Sequence, residues 1–236
     1  MLIHYLESFT DSLVVTEKDE KPIGVIGGKD IIENILKNPS SDFFDNVTVE
    51  QIADDNLVIF SEQTILKDLL EKWKQTRRAF SIIPNTLGGY SAISARKMLE
   101  IGANCVTDLT ISELAKKEVI TFEKGDTING IIDLMLEKNT RKLLLKNTNY
   151  FISDRLLLQS VAQEFDFFRN TKFLELRVEE SLKFEEAKKI SKNLNLAELS
   201  KIMYSMLHPY VVYQDQVVTP WDICMALQSD RMEFLG

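Results

Sequence analysis

The chain repeats one unit four times, and that repetition constrains its architecture more than any single motif. Each copy is a hairpin of two short apolar strands running into a helix. The clearest copy is Pro209-Tyr210-Val211-Val212-Tyr213, a turn at Gln214-Asp215, then Gln216-Val217-Val218-Thr219-Pro220-Trp221-Asp222-Ile223. The first copy is Ser12-Leu13-Val14-Val15, a charged turn, then Pro22-Ile23-Gly24-Val25-Ile26-Gly27-Gly28-Lys29-Asp30-Ile31. The second runs from Phe80-Ser81-Ile82-Ile83 through Gly88-Gly89 to Tyr90-Ser91-Ala92-Ile93-Ser94. The third runs from Lys142-Leu143-Leu144-Leu145 through an Asn-rich turn to Tyr150-Phe151-Ile152-Ser153. Superposing the strand-to-helix turns aligns Asp30, Lys97, Leu156 and Asp222, at steps of 67, 59 and 66 residues.

A second echo suggests how the copies arose. Asp42-Phe43-Phe44-Asp45-Asn46 returns as Asp166-Phe167-Phe168-Arg169-Asn170, 124 residues later. Copies one and three align at an offset of 126, copies two and four at 125. The chain therefore reads as two tandem modules of two copies each, residues 1–103 and 104–236, with a boundary near residues 101–110.

A helix with apolar residues at helical spacing precedes each hairpin. The stripes are Ile65, Leu66, Leu69, Leu70 and Trp73 in copy two, and Ile128, Ile131, Ile132, Met135 and Leu136 in copy three. Copy four has Leu196, Leu199, Ile202, Met203 and Met206. A further short strand precedes each helix: residues 58–60, residues 119–122, and a fainter one near Lys189-Ile190-Ser191. The expected fold is α/β, each repeat running strand, helix, strand, strand, helix, with helices covering a small sheet. In copy one the offset puts the first helix at residues 1–12, with Leu2, Ile3, Leu6 and Phe9 as its stripe. The strand before it would fall ahead of Met1. Copy one is thus expected to be open at one sheet edge or patched by a distant segment, since unpaired edges invite association.

A hydrophobic share of 44% is enough for real cores, and a net charge of −8 opposes non-specific nucleic-acid binding. Lys72-Trp73-Lys74-Gln75-Thr76-Arg77-Arg78 is the one local basic stretch, and it reads as the solvated end of a helix. Lys183-Phe184-Glu185-Glu186-Ala187-Lys188-Lys189 reads as an exposed helix with i,i+4 ion pairs. Two cysteines, Cys105 and Cys224, are too few for a disulfide framework and point to a reducing compartment. There is no basic N-terminal region followed by an apolar run, and no apolar stretch near the roughly 18 residues that span a membrane. The expectation is a soluble cytoplasmic protein. Metal-spaced Cys/His clusters, a phosphate-binding Gly-x-x-x-x-Gly-Lys-Ser/Thr loop and a Gly-x-Ser-x-Gly elbow are all missing from the sequence, so the expectation is a non-enzymatic chain.

Thr219-Pro220-Trp221-Asp222 has a purely structural reading. Thr219 caps a helix, Pro220 takes its first position, and Asp222 stands three residues after the cap, a variant capping box. The same geometry suits a ligand. A helix N-terminus favours phosphate, and a carboxylate accepts the two hydroxyls of a ribose diol.

The unit resembles the CBS domain, named after cystathionine β-synthase, whose second hairpin strand reads roughly Gly-apolar-apolar-Thr-x-x-Asp before a helix. Copy four matches with Val217-Val218-Thr219-Pro220-Trp221-Asp222, with Gln216 where Gly is usual. Copy one matches with Gly24-Val25-Ile26-Gly27-Gly28-Lys29-Asp30, with Gly27 in place of Thr. Copies two and three keep Ser94 and Ser153 but carry Lys97 and Leu156 in place of the acid. The resemblance covers nearly the whole chain and implies two Bateman modules, each a pseudo-symmetric pair of repeats. It implies an adenosine-containing ligand: AMP, ADP, ATP or S-adenosylmethionine. Thr219 would contact phosphate or ribose and Asp222 the ribose hydroxyls. His208 would take the place of a basic residue facing phosphate, and Tyr210 and Val211 would edge the adenine. Arg141 and Lys142 hold the position matching His208 in copy three, Arg77 and Arg78 in copy two. Asp30 marks a second, weaker site.

Three functions stand open on this reading. One is a sensor signalling to a separate protein or to a second copy of itself as a homodimer. The second is a ligand-free assembly protein, favoured by the lost acids. The third is a nucleic-acid-associated regulator, which the acidic total opposes.

Overall fold

The structure is a computed structural model that describes the chain apart from residues 9, 39–42, 87, 115–116, 165–171 and 235–236. Asp42 and the echo at residues 166–170 lie outside the described residues, as does Phe9.

In chain order the first repeat comprises α1 (Leu2–Glu7), β1 (Ser12–Thr16), β2 (Pro22–Gly27) and α2 (Gly28–Lys37). Two single turns follow, α3 (Phe43–Asn46) and α4 (Val49–Ile52). The second repeat is α5 (Leu66–Thr76), β3 (Phe80–Pro84), β4 (Tyr90–Ser94) and α6 (Ala95–Ala103), with β5 (Cys105–Val106) after it. The third is β6 (Thr121–Phe122), α7 (Ile128–Glu137), β7 (Lys142–Leu145), β8 (Tyr150–Ser153) and α8 (Asp154–Gln163), followed by α9 (Val178–Ser181) and β9 (Glu185–Glu186). The fourth is β10 (Lys188–Ile190), α10 (Leu196–Tyr204), β11 (Val211–Tyr213), β12 (Gln216–Val218) and α11 (Pro220–Ala226), then β13 (Glu233–Phe234).

The hairpins pair as their alternating apolar residues require, for example Val14↔Val25, Ile82↔Ala92, Leu143↔Ile152 and Val212↔Val217. Their turns pass through left-handed backbone at Gly88 and Gly89, at Asn147 and at Gln214, conformations that glycine adopts without steric cost. A parallel strand flanks the first hairpin strand in repeats three and four, Thr121↔Leu144 and Lys188↔Val211. Repeat two reduces it to one parallel bridge, Ile59↔Ile82. In repeat one residues 2–7 are helical, and the edge strand β2 is patched by Asp54, which exchanges two main-chain hydrogen bonds of 2.8 Å with Val25. The corresponding edge in repeat three, β8, is closed by β9 through Phe151↔Glu185. Asp30, Lys97, Leu156 and Asp222 all fall on the third residue of their helices, so the alignment of the four turns is sound.

The chain folds as two compact units that interleave the repeats. One comprises Met1–Asp55 and Val119–Ala187, the other Asn56–Glu118 and Lys188–Gly236. Repeats one and three therefore share a unit, as do two and four, a division different from the sequential halves 1–103 and 104–236. In the second unit α6 packs against α10 and α11. A Cβ at Gly102 of α6 would stand 2.6 Å from Ser200 Oγ and 3.4 Å from Ile223 Cγ2. Leu70, Trp73, Met98, Leu99, Leu199, Met203 and Ile223 share that core. The indole of Trp73, inside the basic stretch 72–78, is wholly buried and donates to Ser81 Oγ at 2.6 Å.

Two local expectations are corrected. Residues 183–189 do not form a helix: Glu185–Glu186 and Lys188–Ile190 are strands, because the edges of β8 and β11 need main-chain partners. On α1 the buried residue is Tyr5, while Ile3 of the expected stripe is 64% exposed. Tyr5 lies under the Arg155 guanidinium, 5.1 Å from the ring centroid, and its hydroxyl accepts from Arg141 at 3.2 Å. Arg155 in turn donates to the carbonyl oxygens of Leu6 and Thr10, which fixes α1 on α8.

At the start of α2, Gly28 faces Asp154 Oδ2 and the Tyr5 hydroxyl, and both atoms would collide with a Cβ. Neither atom is at liberty to move, since Arg141 holds Asp154 at 2.5 Å and also bonds Tyr5. Gly28→Ala is therefore expected to lose about 1–3 kcal/mol of stability, the usual scale of overpacking. Urea unfolding of the variant against the parent measures it.

Candidate functional site

The fourth strand-to-helix turn is built by β12, by Thr219 after it in extended conformation, and by Pro220 opening α11. Proline fits there because the first helical amide has no partner to lose. Asp222, 7% exposed, folds back over the turn. Its Oδ2 accepts from the Thr219 amide at 2.8 Å and from Thr219 Oγ1 at 2.8 Å. This is the expected capping box, in which the acid satisfies the cap amide, and the threonine hydroxyl donates to the same carboxylate as well. The other oxygen, Oδ1, forms an ion pair with Lys117 Nζ at 2.6 Å. A carboxylate this buried requires such a partner.

Tyr210 and Val211 are 1% and 0% exposed and belong to the interior of the unit. Burial pushes the Tyr210 phenol well above its ordinary range, and the charge of Asp222 adds to the rise. His208 is half-buried in the turn between α10 and β11. That turn is anchored by Arg96 of the second repeat, which donates to the carbonyl oxygens of Tyr204 and Met206 at 3.1 Å each. Its guanidinium also stacks over the Tyr204 ring at 5.6 Å. Thr219, Asp222, His208, Tyr210 and Val211 therefore belong to one unit, and Asp30 to the other.

The other three turns differ in kind. Asp30 Oδ2 accepts from the Gly27 amide at 2.7 Å, the same back-bond as in repeat four but without a hydroxyl. Lys97 points to an exposed ion pair with Glu100 at 3.0 Å. Ser153 Oγ accepts from the Leu156 amide at 3.1 Å, and the Leu156 side chain is 4% exposed. Arg141, in line with His208 by sequence, is committed to Asp154 and to Asp11 at 3.5 Å.

Two residues that the repeat pattern did not single out shape the fourth turn. Lys117 is one, Arg231 the other. Arg231 clamps the connecting segment, pairing with Asp108 at 2.7 Å and Glu113 at 2.6 Å. Main-chain bonds from Ile111 to Leu194 (2.9 Å) and from Leu196 to Leu109 (2.8 Å) hold the same segment. The segment thereby delivers Lys117 to Asp222. Only its charge marked Lys117 in the sequence, because it lies between repeats and has no counterpart to align with. Gln216, where glycine was expected, donates to the Ile111 carbonyl at 3.3 Å, and its buried Oε1 has no partner among the described residues.

Among the described residues no group of three His, Cys, Asp or Glu is placed to hold a metal, and no helix is long and apolar enough to cross a membrane. Cys105 and Cys224 are buried and are not joined in a disulfide. A cavity of about 600 Å³ opens beside the first hairpin turn, lined by Val15–Asp19, Ile23, Val49 and Glu50. It includes none of the candidate residues.

No family model and no curated protein matches the chain. Solved structures do. A protein of Methanocaldococcus jannaschii, described as a proposed archaeal homologue of γ-AMPK, aligns over 96% of this chain and 91% of its own at 17% identity, with a TM-score of 0.77. An uncharacterized conserved protein of Pyrococcus horikoshii aligns over 92% and 91% at 12% identity, with a TM-score of 0.58. A CBS-domain protein of Bacillus anthracis covers 42% of this chain and 72% of its own at 20% identity, with a TM-score of 0.35. The first two likenesses are likenesses of fold. With four repeats of a helix, a hairpin and a second helix, two of them led by a full parallel strand, the chain has the fold of a tandem CBS-domain protein.

The Arg231 clamp gives this unit an acid-sensitive contact. The Arg231 hydrogen bond, with help from Thr110, lowers the Glu113 carboxyl from 4.5 to about 2. A carboxyl depressed on folding contributes stability that is complete above pH 4.5 and is lost as pH falls toward 2. Arg231→Gln should return Glu113 toward 4.5, read as the titration midpoint of its carboxyl carbon by NMR, and should remove that part of the acid dependence of stability.

Proposed function

We propose that the chain is a non-enzymatic regulatory module that binds an adenosine-containing ligand at the fourth strand-to-helix turn and passes its occupancy to a partner. The carrying observation is that, of the four turns, repeat four alone combines a hydroxyl, Thr219, with a third-position acid, Asp222. On this reading Asp222 takes the ribose hydroxyls, Thr219 the ribose or phosphate, and His208 stands toward the phosphate. Tyr210 and Val211, expected to edge the adenine, are buried in the interior and support the turn from beneath instead of offering surface to the base. The AMP, ADP, ATP and S-adenosylmethionine class of ligand follows from the CBS resemblance. The fold shared with a protein described as a homologue of γ-AMPK supports the regulatory part of the reading. Asp30 offers the acid of a second site without its hydroxyl. The partner is either a second copy of the chain or a separate protein.

The competing reading is a ligand-free assembly protein, and one observation favours it: Asp222 already has a cation partner in Lys117. Calorimetric titration with adenosine, AMP, ADP, ATP and S-adenosylmethionine separates the two. Asp222→Ala should weaken the tightest of these by about 1.5–3 kcal/mol, the scale of a hydrogen bond to a charged group, or roughly tenfold to a hundredfold. Thermal unfolding of the variant is measured alongside, because Asp222 also caps α11. Binding by the variant as tight as by the parent would reject the site, and a parent that binds none of the panel would put the assembly reading first.

A further inference from the structure

We infer that Lys117 is an internal competitor for the ligand and sets both the affinity and the sugar specificity of the fourth turn; this rests on the adenosine-binding reading above. An ionised carboxylate offers about four lone-pair positions. At Asp222 two of them, both on Oδ2, are taken by the amide and hydroxyl of Thr219. A third, on Oδ1, is taken by the Lys117 ammonium at 2.6 Å. One position is left. A ribose diol that donates both hydroxyls to this carboxylate needs two. The Thr219 bonds are local to the turn and hold the helix start, so Lys117 is the partner that gives way.

Lys117 is suited to giving way. Its side chain is 40% exposed while that of Asp222 is 6% exposed, so release returns the ammonium to water it already touches. It lies one residue before the last residue of its segment in this unit, Glu118, and the clamped part of that segment, residues 108–113, is held by contacts that do not involve it. The Oδ1 side of the buried carboxylate, by contrast, has Lys117 as its one partner among the described residues and is costly to leave without a donor. In the empty protein Lys117 supplies that donor; in the occupied protein the diol does. A sugar with a single hydroxyl at the corresponding edge fits the remaining position and leaves Lys117 in place.

The test is calorimetric binding of adenosine and of 2′-deoxyadenosine to the full chain and to Lys117→Ala, with Lys117→Met as a second variant that keeps the length of the stem. Both probes lack phosphate, so any direct attraction of Lys117 for a phosphate is silent. Adenosine should bind the variants about threefold to thirtyfold more tightly, the span between an exposed ion pair and a partly desolvated one. 2′-Deoxyadenosine should change by less than about twofold. Thermal unfolding identifies a variant that has lost its fold, and the other is then used. Equal binding of adenosine by parent and variants, or parallel changes for both nucleosides, would overturn the role of Lys117 and leave the adenosine site standing. Adenosine bound by the variants but not by the parent supports both. No nucleoside binding by any of the proteins would overturn the site and this inference with it.

Discussion

The contact on which the four repeats turn is the one that closes a strand onto a helix. At the end of each second hairpin strand the chain must leave the sheet and start a helix within one residue, exposing amides that no carbonyl of the helix can reach. Repeats one and four solve this with an acid at the third helical position, Asp30 and Asp222, each bonding back to the cap amide. Repeat three uses the cap hydroxyl of Ser153 instead and fills the third position with buried Leu156. Repeat two has Ser94 at the cap without a side-chain cap bond, and Lys97 at the third position turned to Glu100. One backbone geometry is thus stabilised in different chemical ways, and the choice decides whether a carboxylate stands at the turn.

The remaining scaffold fixes where that turn sits. In the second unit α6 meets α10 and α11 at the close approach of Gly102 to Ser200, and Arg96 ties the end of α10 just ahead of His208. The segment between repeats is held by Arg231 and by backbone bonds, and it brings Lys117 to Asp222. The candidate site is therefore assembled from elements distant in sequence but belonging to one unit.

Much of this was legible in the residues. The hairpins, the helices before them and the equivalence of Asp30, Lys97, Leu156 and Asp222 follow from period-two and period-3.6 patterns that repeat at constant spacing. What escaped were features that patterns do not encode. The grouping of repeats one with three and two with four depends on which helix faces fit, as Gly28 fits Asp154 and Gly102 fits Ser200. Lys183–Lys189 looks helical by charge spacing, yet the edges of β8 and β11 draw Glu185–Glu186 and Lys188–Ile190 into strands. Tyr5 displaces the expected apolar stripe of α1 because two arginines and its hydroxyl give it a satisfied buried place. Lys117, unrepeated and between repeats, carried no signal beyond its charge.

The central claim is that the fourth turn, with Asp222 at its centre, receives an adenosine ligand. The most direct measurement is an amide-resolved NMR titration of the full chain with adenosine and with AMP. The account predicts saturable shifts centred on Thr219, Trp221, Asp222 and Ile223, with smaller changes at Tyr210 and Lys117. Saturation of the protein with no change at those amides, or changes confined to the turn around Gly27 and Asp30, would contradict it.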